Sequence, residues 1–244
     1  DAIASDIINT MNEPFRIDSQ EYILSVSVGV SVNPADSTQA EEMMTHADAA
    51  MYRAKEQGRN RFCYYSDDLE YQFKQRQSVE KLLRHAIEHD KIEVFYQPKL
   101  ALATRKIIGV EALVRLRDDD NKLISPLDFI PLAEELGLIV KLDLWVIEQA
   151  CKELEKWQQQ GIEAGRLAIN ISANHLRQGQ LASNVERLLE RYDVDPHKLE
   201  VELTESCFIS HFSEAKQELL ALKKLGVHIT LDDFGTGYSA LSYL

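Results

Sequence analysis

From residue 91 onward the chain repeats one unit, a short alternating run followed by ten or more residues at helical spacing. Strand patterns fall at 92–97, 109–116, 166–172, 199–204 and 227–232. Helical patterns fall at 126–135, 142–160, 180–192 and 213–225. Strands alternating with helices of that length predict parallel pairing with helical crossovers. A parallel sheet covered by helices on both faces reads as unbroken apolar runs, and these strands do not. Side chains alternate between faces along a strand, so each run splits into two rows. Val110, Ala112, Val114 and Leu116 oppose Glu111, Leu113 and Arg115. Leu167, Ile169 and Ile171 oppose Ala168, Asn170 and Ser172. Val201 and Leu203 oppose Glu200, Glu202 and Thr204. Val227, Ile229 and Leu231 oppose His228, Thr230 and Asp232. In the first strand, Ile92, Val94 and Tyr96 oppose Glu93, Phe95 and Gln97. A closed barrel accommodates this pattern: the apolar row meets helices outside, and the polar row lines an interior that opens at the strands' C-terminal ends.

Burying Glu111, Asn170, Glu202 and Asp232 unpaired would cost on the order of several kcal/mol each. Convergence on a metal ion removes that cost. Three carboxylates and an amide are all oxygen donors, which favours Mg²⁺ or Mn²⁺ over a softer metal. Each residue also has a plainer reading. Glu111 could form a core salt bridge with Arg115, Asn170 could cap a loop, and Glu202 could be a solvated strand end. Their shared face on successive strands is what favours the metal site.

The last strand runs into VHITLDDFGTGYSAL, residues 227–241. It delivers two adjacent carboxylates, Asp232 and Asp233, and then turns through Gly235 and Gly237 to Tyr238 and Ser239. Asp and Gly also cluster in ordinary turns, but strand-end acids followed by a tight loop are how α/β proteins build sites at a sheet's carboxyl edge.

Formal net charge is −13 over 244 residues. That excludes diffuse attraction to nucleic acid polymers or anionic membranes, so an anionic ligand needs a local metal or a placed Arg. Cys63, Cys151 and Cys207 have no metal-type spacing and are expected to be reduced thiols in a cytoplasmic protein. No apolar run approaches the ~18 residues of a membrane span. The chain starts at Asp1 in mid-pattern, which suggests a piece of a longer protein, one that upstream segments could anchor to the inner membrane.

Residues 1–65 predict a small α/β piece. A helix is expected at 3–11. A strand is expected at 22–32, with Leu24, Val26, Val28, Val30 and Val32 on one face. A helix at 40–57 should be capped by Ser37 or Thr38 and stopped by Gly58. Residues 66–90 predict a connecting helix with a partial apolar stripe of Leu69, Phe73, Val79, Leu83 and Ile87.

Two resemblances carry specific chemistry. The run ADAAMYRAKEQGRNR at 47–61, after the SVSVGV strand, resembles the C-terminal third of a GGDEF (diguanylate cyclase) domain. The resemblance implies that Lys55 and Arg59 help hold a triphosphate, so GTP is an expected partner. Complementing a helix C-terminus is their plainer role. The residues that define GGDEF chemistry are not in this sequence, so it is not expected to act as a cyclase by itself.

Residues 91–244 resemble the EAL family, which hydrolyses cyclic di-GMP. The carrying motifs are Tyr96-Gln97-Pro98, Glu111-Ala112-Leu113, Phe129-Ile130-Pro131, Ala133-Glu134, Asn170-Ile171-Ser172, Glu202-Leu203-Thr204-Glu205 and the Asp232–Ser239 run, all in order. The resemblance implies a TIM-type (β/α)8 barrel with one antiparallel strand, about five of its eight strands lying in this sequence. The expected organisation is thus a GGDEF piece at 1–65, a linker helix at 66–90 and an EAL domain at 91–244.

The resemblance further implies that Glu111, Asn170, Glu202 and Asp232 bind one metal and Asp233 a second. Gln97, Leu113 and Arg115 would contact cyclic di-GMP, Arg115 at a phosphate. Glu205 would anchor the loop at 235–238 and couple it to metal occupancy and homodimerisation. Glu111, Asp232, Asp233 and Glu205 are the expected catalytic set. The family's later lysine, proposed general-base glutamate and closing glutamine-glycine turn have no counterpart in these residues, so the 244 residues alone are expected to be unstable or inactive. Two readings from other classes stay open: a receptor that binds cyclic di-GMP without cutting it, and a structural α/β domain with core ion pairs.

Overall fold

The computed structural model describes residues 1–18, 20–89, 91–204 and 212–232, with the side chains of the last stretch described from 216 on. The chain forms two compact units, Asp1–Ser78 and Val79–Leu244.

In the first unit, α1 (Ala2–Met11) precedes an antiparallel pair, β1 (Phe15–Ile17) with β2 (Gln20–Tyr22). β3 (Val28–Val30) pairs in parallel with β4 (Phe62–Tyr64), and α2 (Ala40–Glu56) lies between them in sequence. The single strand expected at 22–32 is therefore corrected to two short segments. The alternation is real, but a strand also needs a neighbour for its backbone groups. Pairing serves only 20–22 and 28–30 here, and Leu24 stays 48% exposed. α2 packs against β3 with little clearance: a Cβ on Gly29 would lie 1.8 Å from the Ala47 carbonyl oxygen. Ala49, Ala50 and Ala54 keep that helix face small and buried. Neither Ser37 nor Thr38 is the N-cap. That position is Gln39, whose amide Ser37 Oγ accepts at 3.0 Å. Past α2, Gly58 turns the chain at φ +105°. α3 (Asp67–Glu88) is the helix expected at 66–90.

The second unit is built on a six-stranded sheet among the described residues. It contains β5 (Glu93–Leu100), β6 (Ile107–Arg117), β7 (Leu123–Ile124), β8 (Arg166–Asn170), β9 (Leu199–Thr204) and β10 (His228–Asp232). The order is β10-β9-β8-β6-β5, with β7 paired to β6. β6, β8, β9 and β10 are mutually parallel, while β5 runs antiparallel to β6. This is the parallel-rich α/β arrangement expected of a TIM-type barrel with one reversed strand.

α4 (Pro126–Glu135) starts where its capping signals place it, with Ser125 Oγ accepting from the Leu127 amide at 3.3 Å and Pro126 in the first turn. α5 (Ile139–Gln160) ends at Gly161, at φ +67°. α6 (Ala173–Arg177), α7 (Leu181–Arg191) and α8 (Phe212–Leu225) are the further α-helices of this unit among the described residues. The apolar rows face them. Val110, Ala112, Leu167, Ile169, Leu199, Val201 and Leu203 join Val146, Ile147, Cys151, Val185 and Leu189 in one core. Burying each large aliphatic contributes roughly 1.5–3 kcal/mol, which fixes the faces and sends the other row to the interior. Cys63 and Cys151 are free thiols, and Cys207 lies outside the described residues.

Candidate active site

The ladder registers set the height of each polar side chain. Gln97 pairs with Glu111, Glu111 with Ala168, Ala168 with Glu200, and Glu200 with His228. One step toward the strands' C-terminal ends, Asn170 pairs with Glu202, and Glu202 with Thr230. One step further, Thr204 pairs with Asp232. Glu111, Asn170, Glu202 and Asp232 thus share one face on four neighbouring strands. Asn170 Nδ2 donates to Glu111 Oε1 at 2.8 Å, linking β6 to β8. Glu111 is therefore held by Asn170, while Arg115 Nη1 donates to the Val114 carbonyl at 2.8 Å and its guanidinium lies 5.6 Å from the centre of the Phe95 ring.

Glu202 is 6% exposed, and its partner is Lys99, a residue absent from the expected site. Lys99 Nζ donates to Glu202 Oε1 and lies 3.5 Å from Glu200 Oε1. Burial pushes the Glu202 carboxyl above its usual range, against the pull of Lys99. For Lys99 burial works downward, but the Glu202 bond and the charges of Glu202, Glu200 and Glu111 hold its ammonium above the ordinary value. Glu200 also accepts from Thr230 Oγ1 at 3.1 Å and faces Arg166 Nη1 at 3.7 Å.

A cavity of 480 Å³ opens beside these strand ends. Leu113, Arg115, Asn170 and Glu202 line it, together with Ile130 and Glu134 from α4. Its far wall includes Asp143 of α5 and Ser172. Ser172 N and Oγ both donate to Asp143 Oδ2, at 3.1 and 2.5 Å, and buried His175 places Nδ1 3.4 Å from the same oxygen. This fastens the turn after Asn170 to the N-terminal part of α5.

Among the described residues no three His, Cys, Asp or Glu side chains are gathered as a metal cluster. The donor chemistry nevertheless fits a hard divalent ion. Glu202 is a buried carboxylate already balanced by a cation, and beside it are an amide and a second carboxylate. Asp232 stands one step above Glu202's partner Thr230, on the adjoining strand. Asp233, Glu205 and the loop at 235–238 lie outside the described residues. In the first unit, Lys55 sits in the last turn of α2, and Arg59 follows at φ +58°.

Sequence reasoning missed Lys99 because Pro98 argued for ending the strand at Gln97. β5 continues to Leu100, and Lys99 extends the row of Glu93, Phe95 and Gln97. β5 ends the described strand order, where a residue without an amide hydrogen is tolerated. Asp143 carried a visible signal, an acid among Leu142, Val146 and Ile147 on a buried helix face.

Comparison with known proteins is consistent across sequence and structure. A family model described as "EAL domain" matches residues 80–244, and one described as "Diguanylate cyclase, GGDEF domain" matches residues 1–61. Cyclic di-GMP phosphodiesterase PdeR of Escherichia coli is 38% identical over 244 residues, covering 100% of this chain and 37% of that protein. Bifunctional diguanylate cyclase/cyclic di-GMP phosphodiesterase MucR of Pseudomonas aeruginosa is 36% identical over 242 residues, covering 99% of this chain and 35% of that protein. The chain spans about a third of the length of these curated relatives. A solved structure of the PaMucR phosphodiesterase in its c-di-GMP complex superposes with a TM-score of 0.64 at 38% identity, over 68% of this chain and 67% of that one. The Xanthomonas citri FimX EAL domain in complex with c-diGMP gives 0.63 at 26% identity, over 71% of this chain and 67% of that one.

Proposed function

The chain belongs to the EAL domain family, and on that premise we propose that the full-length protein hydrolyses cyclic di-GMP to linear pGpG with Mg²⁺ or Mn²⁺. Water adds to one phosphorus, the bond from that phosphorus to a ribose O3′ breaks, and O3′ leaves with a proton. The observation that carries this reading is the run of Glu111, Asn170, Glu202 and Asp232 on one face of four neighbouring strands, beside a cavity that also holds Arg115.

Glu111, Asn170, Glu202 and Asp232 would hold one metal ion and Asp233 a second. When bound, such ions supply an activated water and neutralise charge on the phosphoryl oxygens. The protein's own groups do the rest. Arg115 offers a forked set of donors suited to a phosphate. Leu113 and Ile130 give the cavity an apolar wall, and Gln97, level with Glu111, supplies an amide toward the ligand. The Asp143–Ser172 bonds keep the turn after Asn170 in place, so the amide stays beside Glu111. Glu205 would hold the loop at 235–238 and link it to a homodimer interface. In the first unit, Lys55 and Arg59 would meet the triphosphate of GTP. No helix among the described residues is long and apolar enough to cross a membrane, and a cytoplasmic site of action is part of this reading.

The decisive test is Glu111→Ala in the full-length protein, with pGpG release followed by chromatography in Mn²⁺ or Mg²⁺. Losing a residue that merely supports a metal ligand costs roughly 10–100-fold, so loss of a ligand itself should exceed that range. Unchanged turnover would end the assignment. A wild-type protein that binds cyclic di-GMP but releases no pGpG would favour the receptor reading.

A further inference from the structure

Lys99 stands at the level of Gly109 and Arg166, one step below Gln97 and Glu111 on the interior face. Gly109 opposite it has no side chain, so the lysine stem can cross the interior toward β9. There its ammonium is shared between two acids on one strand, Glu202 by direct hydrogen bond and Glu200 at 3.5 Å. The two acids are supported unequally. Glu200 has Arg166 and Thr230 beside it as well as Lys99. The partner given to Glu202, the more deeply buried of the two, is Lys99.

We propose that Lys99 is a positioning residue that competes with the metal ion for the Glu202 carboxylate and thereby sets the affinity of the site. The inference rests on Glu202 being a metal ligand, as argued above. An ammonium and a divalent cation need the same oxygens, and their like charges exclude close joint occupancy. When the ion takes Glu202, Lys99 moves one step down the same strand to Glu200, whose negative charge receives it. Without Lys99, Glu202 is an uncompensated buried charge, which is costly to the fold and is relieved when the ion binds.

The two acids make the inference testable in opposite directions. In full-length protein stripped with EDTA, Lys99→Met should lower the melting temperature. Its Mn²⁺ dissociation constant by calorimetry should tighten by roughly 10-fold, the scale on which residues supporting a ligand act. Glu200→Gln removes the lysine's alternative partner, and Mn²⁺ binding should weaken. A merely structural lysine would weaken metal binding when removed, because Glu202 would lose its support. Unchanged or weaker Mn²⁺ binding in Lys99→Met, with the wild type binding normally, overturns this inference and leaves the metal site standing. A wild type that binds no Mn²⁺ overturns both. If Lys99→Met does not fold, the Glu200→Gln result decides: weaker binding supports the competition, and unchanged or tighter binding ends it.

Discussion

Two stretches of this chain have nearly the same sequence rhythm and different fates. Residues 22–32 alternate apolar and small polar side chains as regularly as β6 or β9, yet ladder pairing serves only Tyr22 and Val28–Val30, and Leu24 is left half exposed. In the second unit, β6, β8 and β9 each have a strand on both sides, and their apolar rows are sealed under helices. Alternation therefore reports which way side chains point once a strand exists. Whether the strand exists depends on neighbours that supply backbone partners and on a layer that covers the apolar row.

Stability measurements can break this contrast or sharpen it. The largest effect should come from Phe129→Ala in α4. The ring is fully buried against Leu83, Leu116 and Leu142, so chemical unfolding should show a loss of about 3–5 kcal/mol. Gly29→Ala should follow at about 1–3 kcal/mol, because a methyl there meets the α2 backbone, which cannot swing aside as a side chain can. Ser125→Ala should cost about 1 kcal/mol through the lost N-cap bond. Leu24→Ala should stay within about 0.5 kcal/mol. If Leu24→Ala instead cost as much as Phe129→Ala, the whole 22–32 row would be buried in the working protein and the contrast would fail.

The second unit was legible where local chemistry and long-range packing agree. α4 could be placed to the residue because Ser125 and Pro126 mark its start. α5 begins at Ile139, three residues before the expected 142; its N-cap, Leu138, offers no side-chain acceptor that would mark the start in the sequence. α6 went unread because five residues hold too little periodicity, although Ser172 caps it. In the candidate site, the face shared by Glu111, Asn170, Glu202 and Asp232 follows from two-residue alternation alone. What alternation cannot give is pairing across strands. That Glu111 is held by Asn170 and not by Arg115, and that Glu202 is held by Lys99, depends on the stagger between neighbours. A single strand's sequence does not carry that information.

The reversed direction of β5 has an engineering consequence. The connection at 101–106 leaves β5 at the pole where β8 begins, opposite the strand ends that bear Asn170 and Thr204. Leu102 at its tip is 96% exposed. A fluorophore or a short peptide insertion there should report on the protein without touching the candidate site, giving this family member a handle at the pole opposite Asn170 and Thr204.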